Sequence, residues 1–538
     1  MKQHSFLPAK RLLIACGLAL SLISSKGLSG QGQFSGDLQL ETQFYIRDTL
    51  IGASGTEHYD VLKNGGDSWL SFSYLNPEWD LSMGVRFDAH YNSNLHNPGT
   101  AFTGIGVGTF YLQKRVDKLD ITAGYLYDQF GSGLTFRAYE ERALGIDKAL
   151  LGVRLMYALH ENWTVTGIVG KQRDRFDLFA PVIMGGRLEG SLAAGKTVRL
   201  NPGLSVVDRS MDKENLDLVR ANLAPTLAPG DSVRPLANVY TASVYNTLSV
   251  GNVSWYVELA GKSNEYDTPD GSPWDQYGSA VLSSLSYSKK GLGLTGQFRR
   301  VNAFMLRTSP NEQLLNGIFN FLPTLTRQNS LRLPARYNAV AQDLGEIGYQ
   351  LDGIYTPVKG YTLSGNYSDI RTLDNRQLFR EIYADLEVRI KSDWKLLVGG
   401  QTVQYNQDFY ENKPGVPTVR TFTPFVEFLY KLDKRKSIRI EAQHMSNEGD
   451  FGSWMYGLIE FNMAPSFSIS VADMYNYDPT EKSPGQIHYY TLFSSYTNKA
   501  NRFYASYSRQ VEGIICTGGV CRFEPAFNGV KIGVTSSF

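Results

Sequence analysis

Nowhere in its 538 residues does the chain hold an apolar run of the roughly 20 residues that a membrane-spanning helix needs. A multi-helix membrane protein is therefore excluded. Charge of one sign is missing too: 53 Lys and Arg stand against 52 Asp and Glu. That balance gives neither a basic footprint for nucleic acid nor an acidic tail. Cysteine is scarce, with three in all, at Cys16, Cys516 and Cys521. Histidine is scattered: His58 and His96 in loops, His90 on a strand, His160 in a turn and His488 at a strand start. No His-Glu-x-x-His site arises, and no phosphate loop or dinucleotide fingerprint precedes a helix. Neither metal nor cofactor is expected.

What the chain has in quantity is Gly 52, Tyr 32 and Phe 28. So many aromatics argue against disorder. Glycine and aromatic enrichment on a polar average fits a transmembrane β-barrel, whose alternating strands cancel in any mean. The N-terminus fits export. Lys2, Lys10 and Arg11 precede an apolar stretch over 12–23, and Gly30-Gln31-Gly32 offers a small-x-small cleavage site. We expect a signal peptide over 1–32 and a single barrel over 33–538. In an oxidising compartment Cys516 and Cys521, which enclose Thr-Gly-Gly-Val, are expected to form a small disulfide loop.

Period-two alternation recurs along the chain. Over 78–91, Trp79, Leu81, Met83, Val85, Phe87, Ala89 and Tyr91 share one face, opposite Asp80, Ser82, Arg86, Asp88 and His90. Twelve steps of about 3.3 Å, tilted by about 45°, rise roughly 28 Å, close to an outer-membrane apolar band. The pattern returns with Leu38, Leu40, Thr42, Phe44 and Ile46 outward, and with Ile382, Ala384, Leu386, Val388 and Ile390 opposite Glu381, Asp385, Glu387 and Arg389. Charge on the second face suits a polar lumen. Short links alternate with long ones, as periplasmic turns alternate with extracellular loops. The fold class is thus all-β: one large antiparallel transmembrane β-barrel of about 24 strands, in the outer membrane. The count falls to 22 if Pro202 removes the pair near 182–208. At the end, Val530, Ile532, Val534, Ser536 and Phe538 share a face. A terminal Phe on an alternating strand resembles the signal read by outer-membrane assembly machinery, which makes that machinery and outer-membrane lipid expected partners.

One segment departs from alternation. Tyr127-Asp128-Gln129-Phe130-Gly131-Ser132-Gly133-Leu134 continues through Arg137-Ala138-Tyr139-Glu140-Glu141-Arg142 to Leu144-Gly145-Ile146-Asp147. It resembles the signature of an uncharacterised family of Bacteroidota outer-membrane β-barrels. The resemblance implies the barrel and its location; that family carries no settled activity. Read on its own, Gly131 and Gly133 permit a tight turn or close backbone approach. Arg137, Glu140, Glu141, Arg142 and Asp147 place both charge signs in a short span. Either the loop folds into the lumen as a constriction, with Phe130, Leu134, Phe136 and Leu144 buried on the wall, or it is a solvated loop held by its own ion pairs. Long links over 128–148, 173–181 and 303–344 are the candidate lumen fillers.

A single catalytic pattern arises. His444 and Ser446 lie two apart on a strand, on the lipid face. That arrangement resembles outer-membrane phospholipase A, where Ser is the nucleophile and His its base. Met455 stands where an Asn would orient the His, so the triad is incomplete and no enzyme is expected. Asp48-Thr49-Leu50 and Asp231-Ser232-Val233 resemble Bacteroidota O-glycosylation sites. The leading expectation is a porin-like channel or transport barrel with a charged lumen, constricted by the 128–148 loop. The alternative is a plugged, non-enzymatic subunit of an outer-membrane assembly or secretion complex, with other outer-membrane proteins as partners. The remote alternative is the lipid-facing phospholipase.

Overall fold

The computed structural model describes residues 32–227, 233–267, 277–312, 315–340, 345–483, 485–517 and 520–538. The 1–32 signal segment, apart from Gly32, and the Asp231-Ser232 site lie outside the described residues.

Twenty-four antiparallel strands close into one barrel. Closure is made between the first strand, Gln33–Tyr45, and the last, Phe527–Ser537, with Leu38 opposite Ser536 and Phe44 opposite Val530. Closure leaves no sheet edge, so the wall's backbone groups pair strand to strand without water, as a bilayer requires. Phe538 completes the seam. Its amide donates to the Gly36 carbonyl (3.0 Å), its own carbonyl accepts from Gly36 (2.8 Å), and its ring packs on Phe72.

Alternation sets the two faces. In Leu81–Ser93, Met83, Phe87 and Tyr91 are exposed, whereas Arg86, Asp88 and His90 are buried inward. In Gln377–Ile390, Ile382 and Leu386 face out while Glu381 and Asp385 face in. The outward face carries Ile105, Val244, Leu351, Ile459 and Val471 in the open. A water-soluble protein would hide so continuous an apolar belt; on a closed barrel it meets lipid. Trp394, Tyr361 and Tyr496 lie toward one rim of this belt, and Tyr91 and Tyr240 toward the other. The barrel is an outer-membrane barrel on these grounds. No described helix is long and apolar enough to cross a membrane, and the crossing is by strands.

The links separate by rim. Two-residue turns such as 117–118, 161–162 and 251–252 lie on the rim that holds both ends of the described chain. Links as long as 127–149 and 303–345 lie on the other. Three local points are decided. The strand after Asn76 begins at Leu81, because Trp79 belongs to the preceding turn, where its amide donates to Asn76 Oδ1 (3.0 Å) and Asp80 takes φ +46°. The 182–208 pair exists in full, as Asp177–Gly190 and Val198–Ser210. Pro202 is tolerated because the ladder toward the preceding chain stops at Gly203 and resumes at Leu200, so its missing N–H falls in the gap. Lastly, 173–181 is a hairpin and not a long loop: its strands pair out to Asp174 and Asp177, and from its two-residue tip Phe176 packs on the inward His90 and on Phe102.

Candidate functional site

The lumen does not stay uniformly polar. Along the strands from Trp394 to Asn498 its inward face is charged nearer the short turns and largely uncharged in the other half, whereas elsewhere buried charges such as Asp88, Arg173, Arg209 and Arg299 lie in the long-loop half. Near the short turns, Lys395 meets Glu427 (2.7 Å), which also accepts from Arg439 Nε (3.0 Å), and Arg439 reaches Glu460 (3.4 Å). Toward the long loops the inward positions are Val403, Tyr405, Met445, Trp454 and Tyr489, all buried. They are covered by chain that enters the lumen.

Two links do the covering. From 127–149, Phe130, Phe136 and Ala138 pack with Ile168, Ile183 and Val207 of the wall. Leu134 joins Ala260, Leu282 and Val301. From 303–345, Leu333, Tyr337 and Ala339 pack with Phe379, Val403 and Trp454. Each fully buried Leu or Phe contributes about 1.5–3 kcal/mol of docking free energy. The links also bind each other. Arg137 N–H donates to the Phe319 carbonyl (2.8 Å), Phe321 N–H to Gly133 (2.9 Å), and Asn320 Nδ2 to Leu134 (3.1 Å). Together they make a plug across the outer half of the lumen. Below it lies a polar cavity of about 240 Å³ between Arg327–Leu331 of the plug and Tyr383, Asp385 and Glu387 of the wall.

Backbone geometry sets the first link's descent. Gly131 and Gly133 have φ +53° and +99°, values that side chains rarely tolerate. A Cβ on Gly131 would lie 2.7 Å from Glu258 Oε1. That close approach lets Ser132 N–H donate to Glu258 Oε2 (3.0 Å), a carboxylate that also accepts from Tyr256 Oη (2.6 Å).

Ion pairs fix the far end of the link. Arg86 forks onto Asp88 (2.7 and 3.0 Å) and reaches Glu140 (2.6 Å) and Asp147 (2.9 Å). Arg173 bridges Asp88 (2.8 Å) and Asp147. Tyr127 Oη donates to Asp147 Oδ1 (3.0 Å). Bidentate guanidinium contacts of this kind are the strong class of polar contact. Arg142 pairs with Glu140 (3.1 Å) and lies over the Trp69 ring. The five charges singled out from the sequence are thus only partly gathered. Glu140, Arg142 and Asp147 meet in the cluster. Arg137 lies between the Tyr139 and Phe321 rings (4.3 and 4.0 Å), and Glu141 pairs through its backbone with Ile146. The wall partners Arg173 and Glu258 were missed, since nothing along the chain says which inward charge a loop will meet. Lys148 is buried near Arg307 and Arg137; burial and then their repulsion pull its ammonium down to about 7.

Other expected features have plain positions. His444 and Ser446 face outward, but the His444 ring bonds Tyr477 Oη (2.7 Å) and lies opposite Met455. Cys516 and Cys521 are register partners in the hairpin of Gly513–Thr517 and Val520–Glu524, while their side chains, and so the expected disulfide, lie outside the described residues. No metal-holding cluster of His, Cys, Asp or Glu occurs among the described residues.

No curated protein matches the chain in sequence. Among solved structures it is similar to the P pilus usher (PapC) translocation pore, at 10% identity over 94% of this chain and 99% of that one, TM-score 0.46. It is similar also to the siderophore receptor PirA from Pseudomonas aeruginosa, at 9% over 94% and 80%, TM-score 0.42. A third is the outer membrane protein opdK from Pseudomonas aeruginosa, at 10% over 94% and 98%, TM-score 0.36. Scores of this size carry no argument about what this barrel does. Family membership is a separate matter, because the match there runs over residues 9–538: the chain belongs to a family of unknown function, DUF6029.

Proposed function

We propose that this protein is a porin-like transport barrel whose own inward links gate its lumen, with 127–149 as the constriction. The observation that carries this is the junction between a charged inner vestibule and the plug. A barrel this wide leaves a lumen unless loops fill it, and here the filling stops midway, above a polar cavity. Charges facing that water-accessible half would select what reaches the plug. The plug's ionic anchors, Arg86, Asp147 and Arg173, are the contacts whose rupture would open the passage. The reading is non-enzymatic, with lipid and the assembly machinery as partners, the latter through Phe538. The segment 127–147 keeps the Bacteroidota attribution as part of this proposal.

Single-channel recording in planar bilayers tests it. Wild type should show a small or flickering conductance. A variant lacking 128–148, verified as a folded barrel, should conduct more in larger, steadier steps. A folded deletion variant as silent as wild type would refute the gate. A second reading, a plugged subunit of an outer-membrane complex, draws on the dry packing around Tyr337 and Trp454. Mild-detergent pull-down tests it, and a protein that always purifies alone would end it.

A further inference from the structure

Outside the lumen, the wall carries a band of arginine. Six neighbouring strands, from Leu292–Asn302 to Val419–Lys431, meet the long-loop rim there. Arg300 stands opposite Ile347, and Ile347 opposite Arg371. Two residues before Arg371, Asp369 stands opposite Arg380, which leads through Gln404 to Arg420. These side chains face outward, because their chain neighbours Arg299, Ile370, Glu381 and Val419 are buried on the lumen side. Five strand spacings of about 4.8 Å make the band about 24 Å long.

Its charge is unbalanced. Asp369 is the one acid among these outward positions, and it accepts from both Arg371 Nε (2.8 Å) and Arg380 Nε (2.7 Å). Arg300 reaches Ser279 Oγ (3.3 Å), and Arg420 is exposed; neither has a carboxylate partner among the described residues. Asp374, Asp408 and Glu448 lie beyond the strand ends. Four arginines thus face one carboxylate. The next outward row toward the short turns is Leu351, Tyr367, Ile382, Thr402 and Phe422, register partners in that order. Its four large side chains are exposed on the lipid face. Cations at the edge of the apolar belt sit at headgroup depth, where they are tolerated and attract anionic lipid. A guanidinium fork matches phosphate, and a phosphomonoester brings three acceptor oxygens and more than one charge.

We propose that this band binds an outer-leaflet lipid through a phosphomonoester on its headgroup, held by Arg300, Arg371, Arg380 and Arg420. Its acyl chains would lie along Leu351, Tyr367, Ile382 and Phe422. The site is outside the lumen, so it stands whether or not the barrel conducts.

Native mass spectrometry of the full-length protein in detergent tests it with four probes. These are monophosphoryl lipid A, the same lipid after its phosphate is removed, phosphatidylglycerol and inorganic phosphate. The first should bind saturably, and the other three at least tenfold more weakly. Arg300→Gln combined with Arg420→Gln should lose about tenfold or more in affinity, the scale of one charge-assisted contact. Neither change breaks an ion pair, and heat-modifiable gel mobility confirms a folded barrel. Lys171, outward on Trp163–Asp174 beside the buried Gln172, lies outside the band; Lys171→Gln should bind as wild type does. Equal binding of the dephosphorylated lipid or of phosphatidylglycerol, unchanged binding in the double variant, or an equal loss in Lys171→Gln would each overturn the proposal. So would no binding of monophosphoryl lipid A, or inorganic phosphate binding as tightly, which would make the free anion the ligand.

Discussion

Replacing Gly131 by Ala isolates how strongly the first link is held to the wall. Two costs add. The residue sits at φ +53°, and an L side chain there costs about 1–2 kcal/mol. The new Cβ would also lie 2.7 Å from Glu258 Oε1 and 3.0 Å from Tyr245 Cδ1. Glu258 is the flexible partner and must yield, yet its carboxylate holds Ser132 N–H at 3.0 Å. Weakening a hydrogen bond to a buried charge costs about 1–3 kcal/mol more. The sum, about 2–5 kcal/mol, falls on docking of the link and not on the barrel wall, which lowers the ratio of docked to undocked link by roughly thirtyfold to several thousandfold. Gly415→Ala is the matched control, with φ +77° and nothing within 4 Å of the new Cβ. Hydrogen exchange over 127–149 is the assay. Gly131→Ala should speed exchange there by roughly one to four decades while wall strands keep their protection and Gly415→Ala leaves 127–149 unchanged. Protection over 127–149 in Gly131→Ala equal to that in Gly415→Ala would refute the reasoning.

Three further changes probe other contacts. Asp147→Asn removes the shared acceptor of Arg86, Arg173 and Tyr127, so it should loosen the same link by about 1–3 kcal/mol; limited proteolysis would show faster cutting within 127–149 and an intact barrel. Lys148 sets a pH dependence. Docked, it loses its proton near 7; exposed, only near its ordinary 10.5. The undocked state holds more protons across that interval, so docking should tighten as pH rises from about 7 to 10, and Lys148→Met should flatten the trend in exchange rates. Gly36→Val places a branched side chain where a Cβ alone would meet the Phe538 ring at 2.3 Å. It should slow closure of the seam, read as a smaller heat-modifiable fraction in isolated outer membranes.

The wall was legible and the plug was not, for a physical reason. A strand writes its two environments into adjacent residues, so Ile382 against Glu381, or Phe87 against Arg86, can be read off pairwise. Pro202 kept the alternative of 22 strands open because the ladder gap that excuses it involves the neighbouring chain at Gly203 and Leu200. The inward links carry no period. Arg137 was grouped with Glu140 by proximity along the chain, yet it is held by the Phe321 ring from another link.

One signal of the plug was nonetheless present in the strands. With parity known, the inward positions can be followed from rim to rim. Trp394–Tyr405 runs inward as Lys395, Leu397, Gly399, Gln401, Val403 and Tyr405; Lys436–Asn447 runs as Arg439, Glu441, Gln443 and Met445. Charge at the short-turn end gives way to buried apolar groups at the other. A lumen filled with water throughout would leave Val403, Tyr405 and Met445 wet, at about 25 cal/mol for each Å² of apolar surface. Something dry must therefore cover that half, and the long links on that rim are placed to reach it. The gradient also bears on function. A plug meant only to stabilise the barrel could fill the whole lumen, whereas on these strands this one stops short of Lys395, Glu427 and Arg439, which line a vestibule. Carrying Leu397→Glu and Val403→Glu changes separately tests that division. Leu397 borders the polar cavity and should tolerate the charge; Val403 lies in the dry cluster and should release the 303–345 link to exchange, because an unpaired carboxylate there cannot be solvated.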